Sequence, residues 1–259
     1  MPTQTSSTEN ILNYQVFSNG LHDCLQMISA TINEEQNFES KTKLLHCINP
    51  HSYVTALNTP DFSTVLHQAD WLVPDGIGIV LASKLNGGRI HDRITGYDIF
   101  NGVNELLNRQ RKGSVFFLGS TEKTLELIQQ KMAIDYPFVK IAGTYSPPFK
   151  PSFSHEDNNN MLEAINQTEA DVLWIGMTSP KQDLWLYQHR KKLNVKFAAG
   201  IGAVFDFYIG NIKRSHFFFQ KTGLEWFPRL LQDPKRLWKR TVISAPIFIA
   251  HLVKQKIRY

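Results

Sequence analysis

One carboxylate stands out in the sequence by its position. Asp75 lies in the segment Val73-Pro74-Asp75-Gly76, after an apolar run that predicts a strand and before a predicted helix. A carboxylate at the end of a strand could act as a general base and remove a proton from a hydroxyl group. An aspartate at this position could equally belong to a turn or cap the helix that follows. The residue alone leaves both interpretations open.

Three further polar side chains have residue types suited to a phosphorylated ligand. Arg93 follows Asp75 in the sequence, and a guanidinium group near strand ends can bind a pyrophosphate through two hydrogen bonds. Lys181 and Gln182 begin a predicted helix, where the ammonium group could contact a phosphate and the amide a sugar hydroxyl. The alternatives are a surface arginine and ordinary polar residues of a first helical turn.

Glycine or small polar residues follow five of the predicted strands. Glycine lets backbone N–H groups approach a phosphate closely, and the dipole of the next helix favours its negative charge. Glycines that merely end strands are the alternative for any single position, but their recurrence favours a nucleotide site. Neither GxGxxG nor GxxxxGK[ST] is present, so the sequence does not specify a dinucleotide fold or a P-loop. The strand-end residues are Asn49, Asp75, Gly76, Gly119, Ser120, Gly176, Gly200 and Gly202.

Short β-rich runs alternate with helical patterns from about residue 44 to residue 200. The pattern predicts an α/β fold: a Rossmann-like, mostly parallel sheet with helices on both faces. Helices are predicted at 77–85, 159–166 and from Pro180 to about Leu193, with Ser154 and Asp157 forming a capping box. The alternation stops near Gly210. We therefore predict an α/β catalytic domain at 1–210 and a basic helical appendage at 211–259.

Composition limits the class of protein. With 259 residues, 42% of them apolar and 12% aromatic, the chain can bury a substantial core. Its two cysteines, Cys24 and Cys47, are too few for a disulfide framework and favour a reducing compartment. The amino terminus has no basic start followed by an apolar stretch, so a signal peptide is not predicted. The longest apolar-rich run, Val242–Val253, is shorter than the roughly 20 residues that span a bilayer.

Positive charge is concentrated at the carboxyl end. Residues 210–259 contain eleven Lys or Arg and two acids, a balance of +9, whereas the whole chain carries +5. Aromatic and aliphatic side chains alternate with these basic residues, as in helices that lie on anionic lipid. The alternative is a solvated basic face with its apolar side packed on the core. We predict contact with an anionic membrane surface, and no nucleic-acid recognition motif is found.

Several motifs in a fixed order resemble the TagA/WecG/CpsF glycosyltransferases (glycosyltransferase family 26) over roughly residues 12–245. Each motif is weak alone, but the ordered set is specific. The motifs are Asn49-Pro50, Pro74-Asp75-Gly76-Ile77-Gly78, Arg93-Ile94-Thr95-Gly96-Tyr97-Asp98, Phe117-Leu118-Gly119-Ser120, Ser179-Pro180-Lys181-Gln182-Asp183, the segment from Gly200 to Asp206, Gly223-Leu224-Glu225-Trp226-Phe227-Pro228-Arg229-Leu230 and Pro234-Lys235-Arg236-Leu237.

The resemblance implies a reaction. Members transfer N-acetylmannosamine, glucose or a related sugar from UDP to an undecaprenyl-diphosphate-linked saccharide, with inversion and without a metal or another cofactor. It implies that Asp75 is the general base, with Asn49, Arg93 and Gln182 lining the site. It further implies nucleotide-binding loops at Gly119-Ser120, Gly176 and from Gly200 to Asp206, and basic residues that close over the diphosphate at Arg229, Arg236 and Lys239 or Arg240.

This chain departs from the family pattern at a few positions. Cys47 stands where the family often has Thr, and Asp183 stands where it usually has Glu. We expect an enzyme of bacterial surface polysaccharide synthesis, cytoplasmic and peripheral on the inner face of the cell membrane. Self-association into a homo-oligomer is compatible with this prediction.

Three other classes of protein are weaker interpretations. A Rossmann-type dehydrogenase would need a glycine-rich fingerprint and an acidic residue about 20 positions later, and neither is found. A nucleotide-sensing membrane adaptor without activity would have no reason to keep Asp75, Arg93 and Gln182 together. A nucleic-acid binder would use the basic patch, but the tryptophans have a spacing suited to packing.

Overall fold

The computed structural model describes residues 7–35, 41–212 and 239–258. By their contacts the residues divide into two compact units, which alternate along the chain. The first unit comprises residues 1–20, 47–95 and 213–259, and the second comprises residues 21–46 and 96–212. These contact-based units do not test the predicted functional boundary at residue 210, which stays a prediction.

Six strands form an α/β sheet in the order β4-β3-β8-β7-β5-β6. Pairs β3–β8, β8–β7, β7–β5 and β5–β6 are parallel. The fold class predicted from the alternating pattern is therefore confirmed. The strands are β3 (Lys43–Ile48), β4 (Trp71–Pro74), β5 (Ser114–Gly119), β6 (Lys140–Tyr145), β7 (Val172–Gly176) and β8 (Phe197–Gly200).

The second unit contains most of this sheet and the helices connected to it. Every residue of β5 and the first four of β7 are buried, which explains why these strands are continuous apolar runs without alternation. Trp174 packs between Phe100 and Phe197 in this core. The helices of this unit are α1 (Gly20–Asn33), which begins at the boundary, α5 (Gly96–Gln110), α6 (Glu122–Asp135), α7 (His155–Asn166), α8 (Lys181–His189) and α9 (Val204–Tyr208).

Local signals predicted the places of α7 and α8 in this unit, but not all of their ends. The capping box of Ser154 and Asp157 is present, but α7 begins at His155 and not at Asn159, because the cap stands directly before the first turn. Pro180 is the N-cap of α8 rather than a residue of its first turn. The helix ends at His189, earlier than predicted. Nothing in the sequence pattern had predicted α5.

The first unit combines a hairpin, helices and one strand of the sheet. Its hairpin pairs β1 (Thr8–Ile11) with β2 (Tyr14–Phe17), and Leu12 and Asn13 have positive φ, as a two-residue turn requires. The predicted helix α4 (Ile77–Leu85) is confirmed at both ends. The hairpin, α2 (Pro50–Leu57) and α3 (Pro60–His67) were not predicted.

The carboxyl end of the described chain belongs to this unit. A π-helical segment, Lys239–Ser244, leads into α10 (Ala245–Arg258). The hydroxyl group of Tyr53 lies 2.7 Å from His251 Nδ1, and the Tyr53 ring packs edge-on against Phe248. These contacts dock α10 on α2. None of the helices within 7–35, 41–212 and 239–258 combines the length and apolar character needed to cross a bilayer.

Candidate active site

Asn49 and Asp75 follow two strands that end side by side. The backbone N–H of Asp75 donates to the carbonyl oxygen of Ile48 over 2.8 Å. The first residue after β3 therefore lies beside the first residue after β4, and Asn49 Nδ2 donates to Asp75 Oδ2 over 3.2 Å. The structure thus brings together two of the predicted site residues, and Asp75 is half-buried.

The hydrogen bonds of Asn49 fix which end of its amide faces Asp75. Its Oδ1 accepts from the backbone N–H groups of His51 and Ser52, at 3.0 and 2.9 Å, and so caps α2. Ser52 returns a bond to the Asn49 N–H over 2.7 Å. Since the oxygen is used by the helix, the NH₂ group is left to face the carboxylate. Asp75 is thereby oriented by a neutral donor.

Arg93 lies on a segment that is fixed to the same strand end. The N–H of Ile94 donates to the carbonyl oxygen of Pro74 over 2.8 Å, which places Arg93 beside the end of β4. The structure therefore groups Asn49, Asp75 and Arg93 within the first unit.

A carboxylate from the hairpin holds the beginning of the Arg93 segment. Glu9 Oε2 accepts from Ser83 Oγ at 2.8 Å and from the N–H of Arg89 at 2.9 Å. Ser83 Oγ accepts in turn from the N–H of Ile90 at 3.0 Å. A Cβ atom on Gly88 would lie 1.9 Å from the Glu9 carboxylate, so a side chain there would displace this carboxylate. No motif in the sequence singles out Glu9 as a site-supporting residue.

In the second unit the strand order creates a crevice between β5 and β7. The chain runs from β5 through α6 to β6 on one side, and from β7 through α8 to β8 on the other. Ligands of open α/β sheets bind at such a switch point, outside the carboxyl ends of the strands. Gly119, Ser120 and Gly176 stand at these two ends.

The two strand ends approach each other closely. Gly119 has a φ of 110°, and a Cβ atom there would lie 2.6 Å from the carbonyl oxygen of Gly176. Only glycine satisfies both conditions. Ser120 also has positive φ, and Thr121 then caps α6 through the N–H of Thr124. The helix amino terminus therefore opens directly beside the crevice, where it can favour an anion.

Gln182 connects two of the predicted nucleotide loops. The side chain is 4% exposed, and its Oε1 accepts from the N–H of Met177 at 3.3 Å and of Gly202 at 3.1 Å. A Cβ atom on Gly200 would lie 2.8 Å from Gln182 Nε2, so glycine is needed for this close packing. The carbonyl end of the amide thus holds the loops, and only the NH₂ end remains for a ligand.

A buried His–Asp pair supports the same helical turn. His46 Nδ1 lies 2.8 Å from Asp183 Oδ1, and both side chains are almost fully buried. The bond joins β3 to the first turn of α8, next to Gln182. The sequence singled out Asp183 only as a departure from the family pattern and did not single out His46, because a lone histidine in an apolar run carries no signal.

Lys181 and Asp206 make side-chain contacts with residues other than the strand-end glycines. Lys181 Nζ donates to the carbonyl oxygen of Lys150 over 2.5 Å and lies 3.6 Å from the centre of the Phe153 ring. Desolvation lowers the pKa of this ammonium group. Asp206 Oδ1 accepts from Asn211 Nδ2 at 3.5 Å. Their roles toward a phosphate or a nucleotide stay predictions.

The basic positions predicted to close over a diphosphate cannot be located. Arg229 and Arg236 lie outside the described residues, as do the side chains of Lys239 and Arg240. Within the part of the chain that the structure describes, no three His, Cys, Asp or Glu side chains are grouped as a metal site would require.

Comparison with known proteins identifies the family. A family model described as "Glycosyl transferase WecG/TagA/CpsF family" matches residues 9–259. The chain belongs to this family of glycosyltransferases. The resemblance drawn from the ordered motifs is therefore confirmed.

Three relatives carry the same name, N-acetylglucosaminyldiphosphoundecaprenol N-acetyl-beta-D-mannosaminyltransferase. The protein of Bacillus spizizenii strain W23 is 31% identical over 218 residues, which cover 84% of this chain and 81% of that protein. The protein of Bacillus subtilis strain 168 is 29% identical, over 82% of this chain and 80% of its own length. The protein of Staphylococcus aureus strain MW2 is 26% identical, over 90% and 88%.

Replacing Asn49 with Asp should separate its two roles. Aspartate caps a helix about as well as asparagine, so α2 should keep its amino-terminal cap. The donor to Asp75 is replaced by a second carboxylate, and like charges this close disfavour ionisation of the pair. We expect the acidic limb of the kcat/KM pH profile to move to higher pH and kcat/KM at pH 7 to fall roughly tenfold or more.

The matched control for this change is Thr59→Asp, which adds the same charge at the N-cap of the neighbouring helix α3. It should leave the pH profile where it is. An Asn49→Asp enzyme with a wild-type profile would show that the amide does not act on Asp75.

Substitutions of Gln182 should distinguish its two ends. Gln182→Ala removes the oxygen that holds Met177 and Gly202, and two lost hydrogen bonds of about 1 kcal/mol each should weaken UDP binding roughly tenfold or more. Gln182→Glu keeps an acceptor oxygen but loses the NH₂ group. It should retain UDP binding and lose turnover.

Calorimetric titration with UDP and steady-state kinetics measure these two effects separately. Gln130→Ala, at an exposed position on α6, serves as the control. Equal losses of UDP affinity in the Ala and Glu variants would contradict the assignment of the oxygen to loop positioning.

Proposed function

We propose that this chain transfers a hexose or N-acetylhexosamine, of the N-acetylmannosamine or glucose type, from a UDP-sugar to an undecaprenyl-diphosphate-linked saccharide. The transfer inverts the anomeric centre and needs no metal. The product would serve bacterial surface polysaccharide synthesis. The observation that carries the proposal is membership of the family. Two relatives support it: they are named for transfer to a lipid-diphosphate-linked sugar, and the matched residues cover 81% and 80% of their lengths.

The chemistry is a single displacement. A hydroxyl oxygen of the acceptor sugar attacks the anomeric carbon of the donor, on the face opposite to UDP. The bond between that carbon and the β-phosphate oxygen breaks, and UDP leaves with the electron pair. The proton of the hydroxyl passes to the carboxylate of Asp75. One base is sufficient, because no covalent sugar–enzyme intermediate forms.

Two features of the described residues support Asp75 in this role. The carboxylate is partly exposed at a strand end, so an acceptor hydroxyl can reach it. Asn49 Nδ2 donates to it, and the other amide atom of Asn49 is already used by α2. A base held in one orientation before the substrate arrives loses little freedom in the transition state.

The negative charge that develops on UDP must be stabilised without a metal. Backbone N–H groups at the Gly119-Ser120 and Gly176 ends and the amino terminus of α6 are suited to the phosphates. Arg93 supplies a guanidinium group. The predicted basic residues Arg229, Arg236, Lys239 and Arg240 would add positive charge from the carboxyl-terminal part of the chain.

The acceptor implies where the enzyme works. An undecaprenyl chain lies in the bilayer, so an enzyme that uses its diphosphate headgroup must reach the membrane surface. We place the protein in the cytoplasm, peripheral on the inner face of the cell membrane. The +9 balance of residues 210–259 suits attraction to anionic lipids.

A UDP-release assay tests the proposal. Purified full-length protein is incubated with a panel of UDP-sugars and a polyprenyl-diphosphate-linked N-acetylglucosamine or glucose, with EDTA present. Release of UDP that depends on the acceptor, with one donor preferred, is the expected result, and NMR of the product gives the anomeric configuration. A protein that binds UDP but releases none with any donor and acceptor would refute it.

Asp75→Asn tests the base directly. The amide cannot accept the proton, so turnover should fall by about 10²–10⁴-fold while UDP affinity is kept. Asp61→Asn, in the exposed first turn of α3, is the matched control and should retain wild-type turnover. Near-normal turnover of Asp75→Asn would remove this residue from the mechanism.

A further inference from the structure

Helix α4 exposes leucines where a helix of a folded unit would be expected to expose polar residues. Its sequence, IGIVLASKL, contains a single charge, Lys84. The buried residues are Ile79, Ala82 and Ser83, whereas Leu81 is 51% exposed and Leu85 is 56% exposed. The two leucines are four positions apart, so they lie on one face of the helix. This helix begins two residues after Asp75.

Helix α10 carries a second exposed apolar stripe. Ile249, Val253 and Ile257 are 57%, 52% and 80% exposed and again follow one another at intervals of four. Phe248 and Leu252 are buried, so the side of α10 adjacent to this stripe packs against the unit. Among the described residues, these three side chains are therefore left largely uncovered.

The carboxyl ends of these two helices lie together. Lys256 Nζ donates to the carbonyl oxygen of Leu85 over 3.0 Å. Leu85, at the acceptor end of this bond, has an exposed apolar side chain. So does Ile257, which follows the donor Lys256 in the chain. The two stripes therefore belong to one part of the first unit, and we call the five residues Leu81, Leu85, Ile249, Val253 and Ile257 the apolar ridge.

The charged residues of α4 and α10 are all basic. Residues 239–259 contain five Lys or Arg and no Asp or Glu. Lys84, Lys254 and Lys256 are exposed beside the leucines and isoleucines. A second copy of the same surface would bring like charges together, which opposes self-association. Anionic lipid headgroups provide the complementary charge, and the acyl region beneath them accepts apolar side chains.

We infer that the apolar ridge docks on an anionic phospholipid bilayer, and that α4 is a membrane-contacting element together with α10. This inference rests on the proposed function and deepens it. It adds α4, the helix next to the proposed base Asp75, to the carboxyl-terminal tail as a second membrane-contacting element. A nine-residue helix is about 14 Å long. With α4 lying along the surface, Asp75 stays near the depth of the headgroups, where the diphosphate of the acceptor is found.

The test uses the full-length chain and vesicles of phosphatidylglycerol and phosphatidylcholine in equal amounts. Leu81→Gln/Leu85→Gln replaces two leucines with residues that keep helix propensity and add no charge. Partitioning measured by co-sedimentation should weaken about tenfold, since two partly inserted leucines are lost. Wild-type binding should also weaken with added salt and on pure phosphatidylcholine.

Ile134→Gln is the matched control, because Ile134 is an exposed apolar residue on α6 in the other unit. It should bind the vesicles as the wild type does. A second measurement compares transfer to a polyprenyl-linked acceptor in the vesicles with transfer to a short-chain acceptor in solution. The ratio of these two rates should fall about tenfold in the double variant and stay constant in the control.

Several outcomes would overturn the inference. Unchanged vesicle binding of the double variant would remove α4 from the membrane surface. A lower melting temperature would show that the leucines pack within the protein, and a shift from dimer to monomer in sedimentation velocity would show an interface between copies. The vesicle experiment needs no catalysis, so a failure of the proposed reaction would appear separately, as absence of transfer to both acceptors by the wild-type protein.

Discussion

The amide of Asn49 does two things that are usually done by separate residues. Its oxygen completes the amino terminus of α2, and its NH₂ group orients the carboxylate of Asp75. The strand β3, the helix that follows it and the residue after β4 are therefore fixed relative to one another by one side chain. Because the oxygen is already used by two backbone N–H groups, the amide cannot rotate without uncapping the helix. The geometry of the proposed base is thus a direct consequence of how α2 begins.

The second unit uses an amide in a similar way. Gln182 accepts from two loop N–H groups and so holds the ends of β7 and β8 at fixed positions. The contact between His46 and Asp183 joins the same turn of α8 to β3. In both units a neutral side chain organises backbone that is suited to an anionic or polar substrate. Neutral donors and acceptors do this without introducing a charge that would itself need a partner.

The sequence predicted the parts of the fold that depend on local pattern. Continuous apolar runs such as Ser114–Gly119 and the capping box at Ser154 are read from neighbours in the chain, and both were found. The β1–β2 hairpin was missed because its turn, Leu12-Asn13, lacks the glycine that usually marks a two-residue hairpin loop. Helix α5 was missed although its buried residues recur at helical spacing. Asn49 was predicted to line the site, but its bond to Asp75 joins residues from two strand ends and needs the register of the sheet. Glu9 and His46 carry no local signal at all.

Glu9 contacts the turn at Gly88 and Arg89, which the ribosome synthesises well after Glu9. Its hydrogen bonds cross 74 and 80 residues of chain. At about 5–20 residues per second, the ribosome releases the hairpin roughly 4 to 16 seconds before its partners exist. During this interval Glu9 is a solvated carboxylate on a two-stranded hairpin, which alone is marginally stable. The segment that carries Arg93 therefore depends on the first strand of the chain being preserved intact until its partners are synthesised.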